Sequence, residues 1–421
     1  MGLRVLITNI ILASRTGTEL YVRDLAVELL RRGHSPVAYS PVQGVMSEEI
    51  QAAGVPVVDD LARLDAPPDV IHGHHLYETM TAVLRFPGVP AIFVCHDYTS
   101  WHDSPPIHPR IRRYLGVGGI YRERLIREGV EESRAHVLLN SVDLTRFPPR
   151  GPLPDRPRRA LVFSNYASAT THLPAAEEAC RRAGLELDVA GSGAGRSIDR
   201  PEEILGKYDL IFAKGKAALE AAAVGAAVVL CDSGGAGPMV TSDELDRLRF
   251  ENFGVRLLRE PLQPEALLRQ IERYDAKDAA RVRDMVRATA GLEMAVDQLL
   301  RIYQEVIEEQ KTAGHCEGDA EARAAAAFLR RVSLNARQWE VAHALLERSA
   351  EEAGVQERES RIKALESDLR AWQERARELD ETIKAMQSSL AFRLGKSLAK
   401  LPGLGAPLRR FAGRRPPKRT T

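Results

Sequence analysis

The sequence predicts an α/β protein: two parallel-sheet domains facing a cleft, followed by an α-helical coiled-coil extension. Three observations carry this. Strand-length β-branched segments alternate with helix-length segments in two series, separated by the Pro- and Arg-rich stretch "PPRGPLPDRPRR" at 148–159. A chain of 421 residues with 44% hydrophobic content can bury two cores and still carry extensions. Beyond Gly314 the apolar spacing changes from α/β alternation to heptads. The boundaries read as 1–150 for a first Rossmann-like, acceptor-side domain and 151–310 for a second, ligand-holding one, with a helical and coiled-coil region at 318–390 and a basic tail at 391–421.

In order along the chain, Arg4–Thr8 reads as a first buried strand, too short for a signal peptide or a membrane span. "TGTELYVRDLAVELLRRGH" then reads as a helix. Leu25, Ala26, Leu29 and Leu30 form its apolar stripe, Thr16 with Glu19 fits a capping box, and Gly33 closes it. Further strands are expected at Val55–Val58, Val70–His72, Ile92–Cys95 and Val137–Leu139, the pattern of a parallel sheet with helices on both faces. The second series runs "ALVFS", a helix over Pro174–Ala183, "LELDVAG", "YDLIFA", a short Ala-rich helix before Gly225, the strand Val228–Leu230, and helices over Glu265–Tyr274 and Ala295–Glu309.

The third region opens with an Ala-rich amphipathic helix over Glu321–Ala350. Ile362, Leu365, Leu369, Trp372, Ala376, Leu379, Ile383, Met386 and Leu390 then alternate steps of three and four, a coiled coil expected to make a homo-oligomer through 355–390, or else a helix packed on its own body. The tail after Ala391 holds nine basic and no acidic residues. Against a whole-chain charge of +1, that leaves −8 on residues 1–390. The body therefore has no basic face for nucleic acid, and the tail, with leucines beside its cations, suits an anionic membrane surface. Cys95, Cys180, Cys231 and Cys316 show no metal or disulfide spacing, so reduced thiols and a cytoplasmic location are expected, peripheral to the inner face of the membrane through the tail.

Function concentrates at "FAKGKAALEAAAVGAAVVL", 212–230. Strand, turn, short helix and strand follow one another there, which sets a helix N-terminus and backbone N–H groups at the carboxyl edge of the sheet, where anions bind. Glu220 is the lone carboxylate of this helix. An unpaired carboxylate on an apolar helix is costly unless it faces a ligand or solvent. Lys214 and Lys216 flank Gly215, where a backbone can approach a ligand closely. His72, His74 and His75 sit on one strand end with no carboxylate or cysteine at a ligand spacing, so no metal site is expected. Asp143 reads as a turn or cap near the hinge.

With these pieces in this order, "TGTELYVRDLAVELLRRGH", "DVIHGHH", "VCHD", "LLNSVDLTRF", "LDVAGSG" and "ALEAAAVGAAVVL", residues 1–310 resemble a GT-B glycosyltransferase of family 4. The resemblance implies a nucleoside diphosphate sugar held by the second domain, with Glu220 at the ribose hydroxyls. It implies Lys214, Gly215 and Lys216 at the diphosphate, Gly17 of "RTGTE" where the first domain meets the donor phosphates, and His96 of "VCHD" near the transferred sugar. No cofactor or metal is implied. Two departures stand out: Phe212 occupies the position of the family's first glutamate, and "SNYASATTH" lacks the usual Arg and Lys, whose charge Lys214, Lys216 or Arg196 could supply.

The function so implied is transfer of a hexosyl-type sugar to a glycan or lipid-linked acceptor in surface polysaccharide biosynthesis, with retention. The competing reading is a catalytically degenerate GT-B protein serving as a coiled-coil interaction subunit, and a GT-B sugar-nucleotide epimerase is a lesser rival.

Overall fold

The computed structural model describes residues 2–196, 198, 200–313, 318–352, 362–363, 365–381 and 384. In the first domain β1 (Arg4–Thr8), α1 (Gly17–Arg31), β2 (Ser35–Tyr39), α2 (Val45–Ala52), β3 (Val57–Val58), β4 (Val70–His74), α3 (Leu76–Arg85), β5 (Ala91–Cys95), β6 (Ile111–Gly116), α4 (Gly119–Arg127) and β7 (Ala135–Val137) follow one another. The seven strands are all parallel in the order β3-β2-β1-β4-β5-β6-β7. Two of them, β2 and β6, were not foreseen. Both carry polar residues or a proline that break the apolar run by which buried strands are read.

The second domain contains β8 (Arg159–Phe163), α5 (Leu173–Ala183), β9 (Glu186–Ala190), β10 (Leu210–Ala213), α6 (Gly215–Val224), β11 (Ala227–Asp232), β12 (Gly235–Met239), α7 (Leu245–Phe250), α8 (Pro264–Ile271) and α9 (Ala276–Thr289). Its sheet runs β12-β11-β10-β8-β9, with only the edge strand β12 antiparallel. Ala176, Ala179, Leu267 and Ile271 of α5 and α8 cover one face. Ala218, Ala222, Val282 and Val286 of α6 and α9 cover the other. Gly225, at φ 98°, ends α6 in the left-handed conformation that a glycine adopts without strain.

The chain crosses between the domains twice, side by side. Val142 N–H donates to Ala290 O at 2.9 Å, and Leu292 N–H to Val142 O at 2.9 Å. Asp143 caps the first crossing by accepting from the N–H groups of Thr145 and Arg146, the turn role expected of it. After the second crossing comes α10 (Leu292–Ala313). Val296, Leu299, Tyr303 and Val306 pack in the core of the first domain. The helix foreseen over 295–309 as part of the second series thus closes the first domain instead. Its apolar stripe is legible in sequence, but not which sheet receives it.

Residues up to Phe328 form one compact unit, and Leu329 begins a second. The last long helix, α11 (Gly318–Glu352), starts in the first unit. In the second unit, residues 365–381 are helical, with Leu365, Leu369, Trp372 and Leu379, together with Arg375, partly buried and the other charged residues between them exposed. The proposed oligomer seam beyond 384 and the basic tail 391–421 lie outside the described residues. Among the described residues no helix is long and apolar enough to cross a membrane. Cys95, Cys180 and Cys231 are buried free thiols, and Cys316 is outside the described residues.

Candidate functional site

In a parallel sheet the loops at the carboxyl ends of the strands converge, and the two domains turn these edges toward each other. From the second domain comes α6. Lys214 is its N-cap and Gly215 its first residue, at φ 62°, with open space where a Cβ would stand. Gly215 N–H donates to Phe253 O at 3.0 Å, fixing the turn. Asn252 and Phe253 hold φ values of 54° and 49°, rare for residues other than glycine, and so form a strained support behind the helix start.

Glu220 lies on the second turn of α6 and is 6% exposed. No hydrogen bond reaches its carboxylate among the described residues. Burial pushes its pKa up to about 7; Lys216 and Arg146 oppose that shift, while Asp24 and Glu202 add to it. The solvated-face alternative is therefore set aside. Glu220 is a desolvated carboxylate with lone pairs to satisfy.

Lys216 reaches across the cleft, its Nζ 3.1 Å from Asp24 Oδ2 on α1. Its charge also helps to lower the pKa of His96. Lys216 is thus the common neighbour of Glu220, Asp24 and His96. Lys214 turns the other way, paired with the buried Asp232 and lying 5.3 Å over the ring of Tyr166. Asp232 also accepts from Ser164 Oγ at 3.0 Å. Lys214 thus places a cation over the "SNYASATTH" loop that lacks one of its own, though with its carboxylate partner attached. Arg196 is exposed in the loop after β9.

Phe212 is fully buried in β10, paired in register with Val162 and Val229. A side chain there belongs to the core rather than to the cleft, so Phe212 offers the site no group in place of the family's glutamate.

From the first domain, Gly17 opens α1, again with open space around its missing Cβ. The capping box takes a modified form. The Thr16 hydroxyl bonds the Glu19 carboxylate instead of a backbone group, and Ser14 Oγ donates to the same carboxylate at 3.0 Å. His96 follows β5, half-buried, its Nε2 2.8 Å from Nδ1 of His74 and its ring 5.0 Å from that of Tyr21. Burial, with Lys216, holds its pKa at about 3, so the ring is neutral at physiological pH. His72 and His74 lie two apart on β4 and face the same way; His72 Nδ1 is 2.6 Å from Tyr303 Oη of α10. These two are core histidines with Nδ1 engaged, while Nε2 of each is buried with no partner among the described residues. His75 differs, having His102 and Asp103 beside it, a carboxylate that sequence spacing did not bring near.

A cavity of about 700 Å³ opens beside the hinge, lined by Arg23, Asp24, Arg31, Arg146, Arg287 and Gly291 among others. Its arginines are engaged: Arg23 with Asp24, Arg31 with Glu28, Arg146 with Glu202 and Arg287 with Phe147 O. They read as hinge supports.

Residues 15–146 match the sequence model of Glycosyltransferase Family 4. No curated protein matches the sequence. Among solved structures, a glycosyltransferase from Rickettsia africae ESF-5 is similar with a TM-score of 0.54 at 14% identity, over 73% of this chain and 99% of that one. Anabaena HepE, solved in complex with UDP and glucose, is similar with a TM-score of 0.50 at 14% identity, over 72% of this chain and all of that one (100%). At such identities the likeness is one of fold. Over residues 15–146 the chain is similar to Glycosyltransferase Family 4, and its fold is that of the GT-B glycosyltransferases.

Proposed function

We propose that the chain transfers a hexosyl-type sugar from a nucleoside diphosphate sugar to a glycan or lipid-linked acceptor in surface polysaccharide biosynthesis, with retention. The observation that carries this is Glu220, a buried carboxylate without a hydrogen-bond partner among the described residues, on the helix whose N-terminus faces the cleft. Two ribose hydroxyls would satisfy it. The diphosphate would lie at the first turn of α6, against Gly215 and Gly17, with Lys216 released from Asp24 to meet the leaving charge. Retention follows from front-face displacement, in which the departing phosphate oxygen takes the acceptor proton. A thermal-shift panel of nucleoside diphosphate sugars on the full chain tests this: one donor raises the unfolding temperature by mass action, whereas no shift with any donor contradicts it.

His96 is neutral and sits beside Lys216, which suits a hydrogen-bonding role at the transferred sugar. His96→Ala is expected to lower turnover by about 10²-fold or more while changing donor affinity by less than about threefold. Equal loss of both, measured in steady-state kinetics and calorimetry, would assign it a structural role.

The degenerate reading rests on Lys214, whose charge Asp232 already meets. Donor binding without any turnover would favour it. In either case the tail is proposed to dock on an anionic inner leaflet while 355–390 joins protomers, placing the protein in the cytoplasm at the membrane face. Full-length protein should float with anionic vesicles at low salt and a chain ending at Leu390 should not, each Lys or Arg near the surface contributing about 1 kcal/mol. Equal flotation of the two would remove the membrane role.

A further inference from the structure

The carboxyl ends of β1, β4 and β5 in the first domain bring together His75, His102 and Asp103, whose polar atoms all lie within 4.8 Å of one another. No hydrogen bond joins the three among the described residues. A point equidistant from the corners of a triangle of that size lies within hydrogen-bond distance of all three, so a single ligand oxygen can address them together.

The surroundings of two corners set their chemistry. His75 Nδ1 accepts the Ile10 backbone N–H at 3.1 Å, and burial keeps the ring neutral, so the ring proton is on Nε2. That nitrogen can donate a hydrogen bond but has no lone pair for a cation, which argues against a metal: metal-bound imidazoles donate their second N–H to a neighbour rather than accept one. Asp103 is 1% exposed, and burial pushes its carboxyl up to about 7. Its Oδ1 is buried with no partner. Above about pH 7, where Asp103 is ionised, a ligand atom must therefore accept from His75 and donate to Asp103. A phosphate oxygen cannot donate and would be repelled by the carboxylate; a hydroxyl does both.

Beside this triangle stands Trp101, 40% exposed, with its ring 5.3 Å from Tyr77 and 5.6 Å, edge-on, from His102. An aromatic face next to a hydroxyl-holding triangle is the pairing that a pyranose ring needs. Arg124 fastens the loop, donating to Asp97 O at 2.6 Å, Ser100 O at 2.7 Å and Ser104 Oγ at 3.0 Å, so the triangle is built before any ligand arrives.

We propose that His75, His102 and Asp103, with Trp101 as a stacking wall, form a sugar subsite of the first domain that holds one hydroxyl of a saccharide acceptor. Its assignment to the acceptor rests on the glycosyltransferase reading above; the saccharide binding itself does not. The subsite orients the acceptor, leaving the proton transfer to the departing phosphate.

The test is saturation-transfer-difference NMR on the full chain with methyl glycosides of glucose, galactose, mannose, rhamnose and N-acetylglucosamine, alongside calorimetric titration with UDP and a thermal-shift series with zinc chloride. At least one glycoside is expected to bind. Asp103→Asn and Trp101→Ala should each weaken it by about tenfold or more, the scale of a hydrogen bond to a charged group. His102→Ala, at a half-buried position, serves as a third variant should Asp103→Asn fail to fold. The proposal is overturned if no glycoside binds a protein that does bind UDP, if these variants bind the glycoside as well as the wild type, or if zinc stabilises the wild type but not Asp103→Asn. Glycoside binding that depends on Asp103, in a protein that binds no nucleotide, would uphold the subsite and reject the glycosyltransferase reading.

Discussion

At pH 8 the Glu220→Gln variant is expected to unfold at a higher temperature than the wild type and, in the same buffer, to lose its hold on the nucleotide. The sign follows from the direction of the pKa shift. In the unfolded chain the carboxyl titrates near 4.5; in the fold, burial raises it to about 7. Below pH 4.5 both states are protonated and burial carries no ionic penalty. Between 4.5 and 7 the native state binds the extra proton, so stability falls as pH rises through that window, and above 7 the whole penalty is present. Removing the charge should recover on the order of 2–3 kcal/mol at pH 8 and almost nothing at pH 4. Nucleotide affinity runs the other way, because only the carboxylate accepts from both ribose hydroxyls. Wild-type affinity should climb through pH 7, and the variant should be weak and flat. Thermal melts at the two pH values, set beside calorimetry, check both halves. A variant no more stable at pH 8 than the wild type would mean that Glu220 is hydrated in solution.

The second large effect is expected at Arg110, which no function claims. Its guanidinium is 1% exposed and donates to Val83 O at 2.5 Å, Phe86 O at 2.8 Å and Val89 O at 3.0 Å, with Nε bonded to Glu321 of α11 at 2.9 Å. Two of those carbonyls belong to the last turn and cap of α3, where a helix has no internal donors left. Arg110→Met keeps much of the packing but orphans these acceptors and leaves Glu321 without its partner. A loss of about 3–5 kcal/mol is expected, with earlier proteolysis near the start of α11. Glu321→Gln, at a partly exposed position, should cost no more than about 1 kcal/mol. Denaturant melts that place the two variants together would show that the cation's role at α3 is small.

What the sequence reveals of this fold is its periodicity. Most of the parallel strands, α1 and α10 show it, because burial on one face imposes a spacing on the chain, whereas β2 and β6 do not. The partners of a buried polar group are another matter. Glu220 stands out as a carboxylate in an alanine helix, yet nothing in the chain says that Lys216 answers to Asp24, 192 residues away. Asp103 lies within a loop whose residues look like an ordinary turn, and only the folding of Ile10 and His75 to the same sheet edge gives it meaning. Phe212 shows the opposite case. Set against the family pattern it looks like a missing catalytic group, whereas a strand reading of "YDLIFA" already places it inside. Arg110 carries no signal at all, since a buried arginine and a surface one are spelled alike.

The central claim is that a nucleotide rests on Glu220 in the cleft, and calorimetric titration tests it most directly. Wild-type and Glu220→Ala proteins are titrated at pH 8 with UDP, GDP, ADP and dTDP. One nucleotide should bind the wild type and bind the folded variant about 10- to 100-fold more weakly, the equivalent of 1.5–3 kcal/mol for a charged hydrogen bond. If none of the four binds the wild type, or if the variant binds with undiminished affinity, the account of this site is wrong.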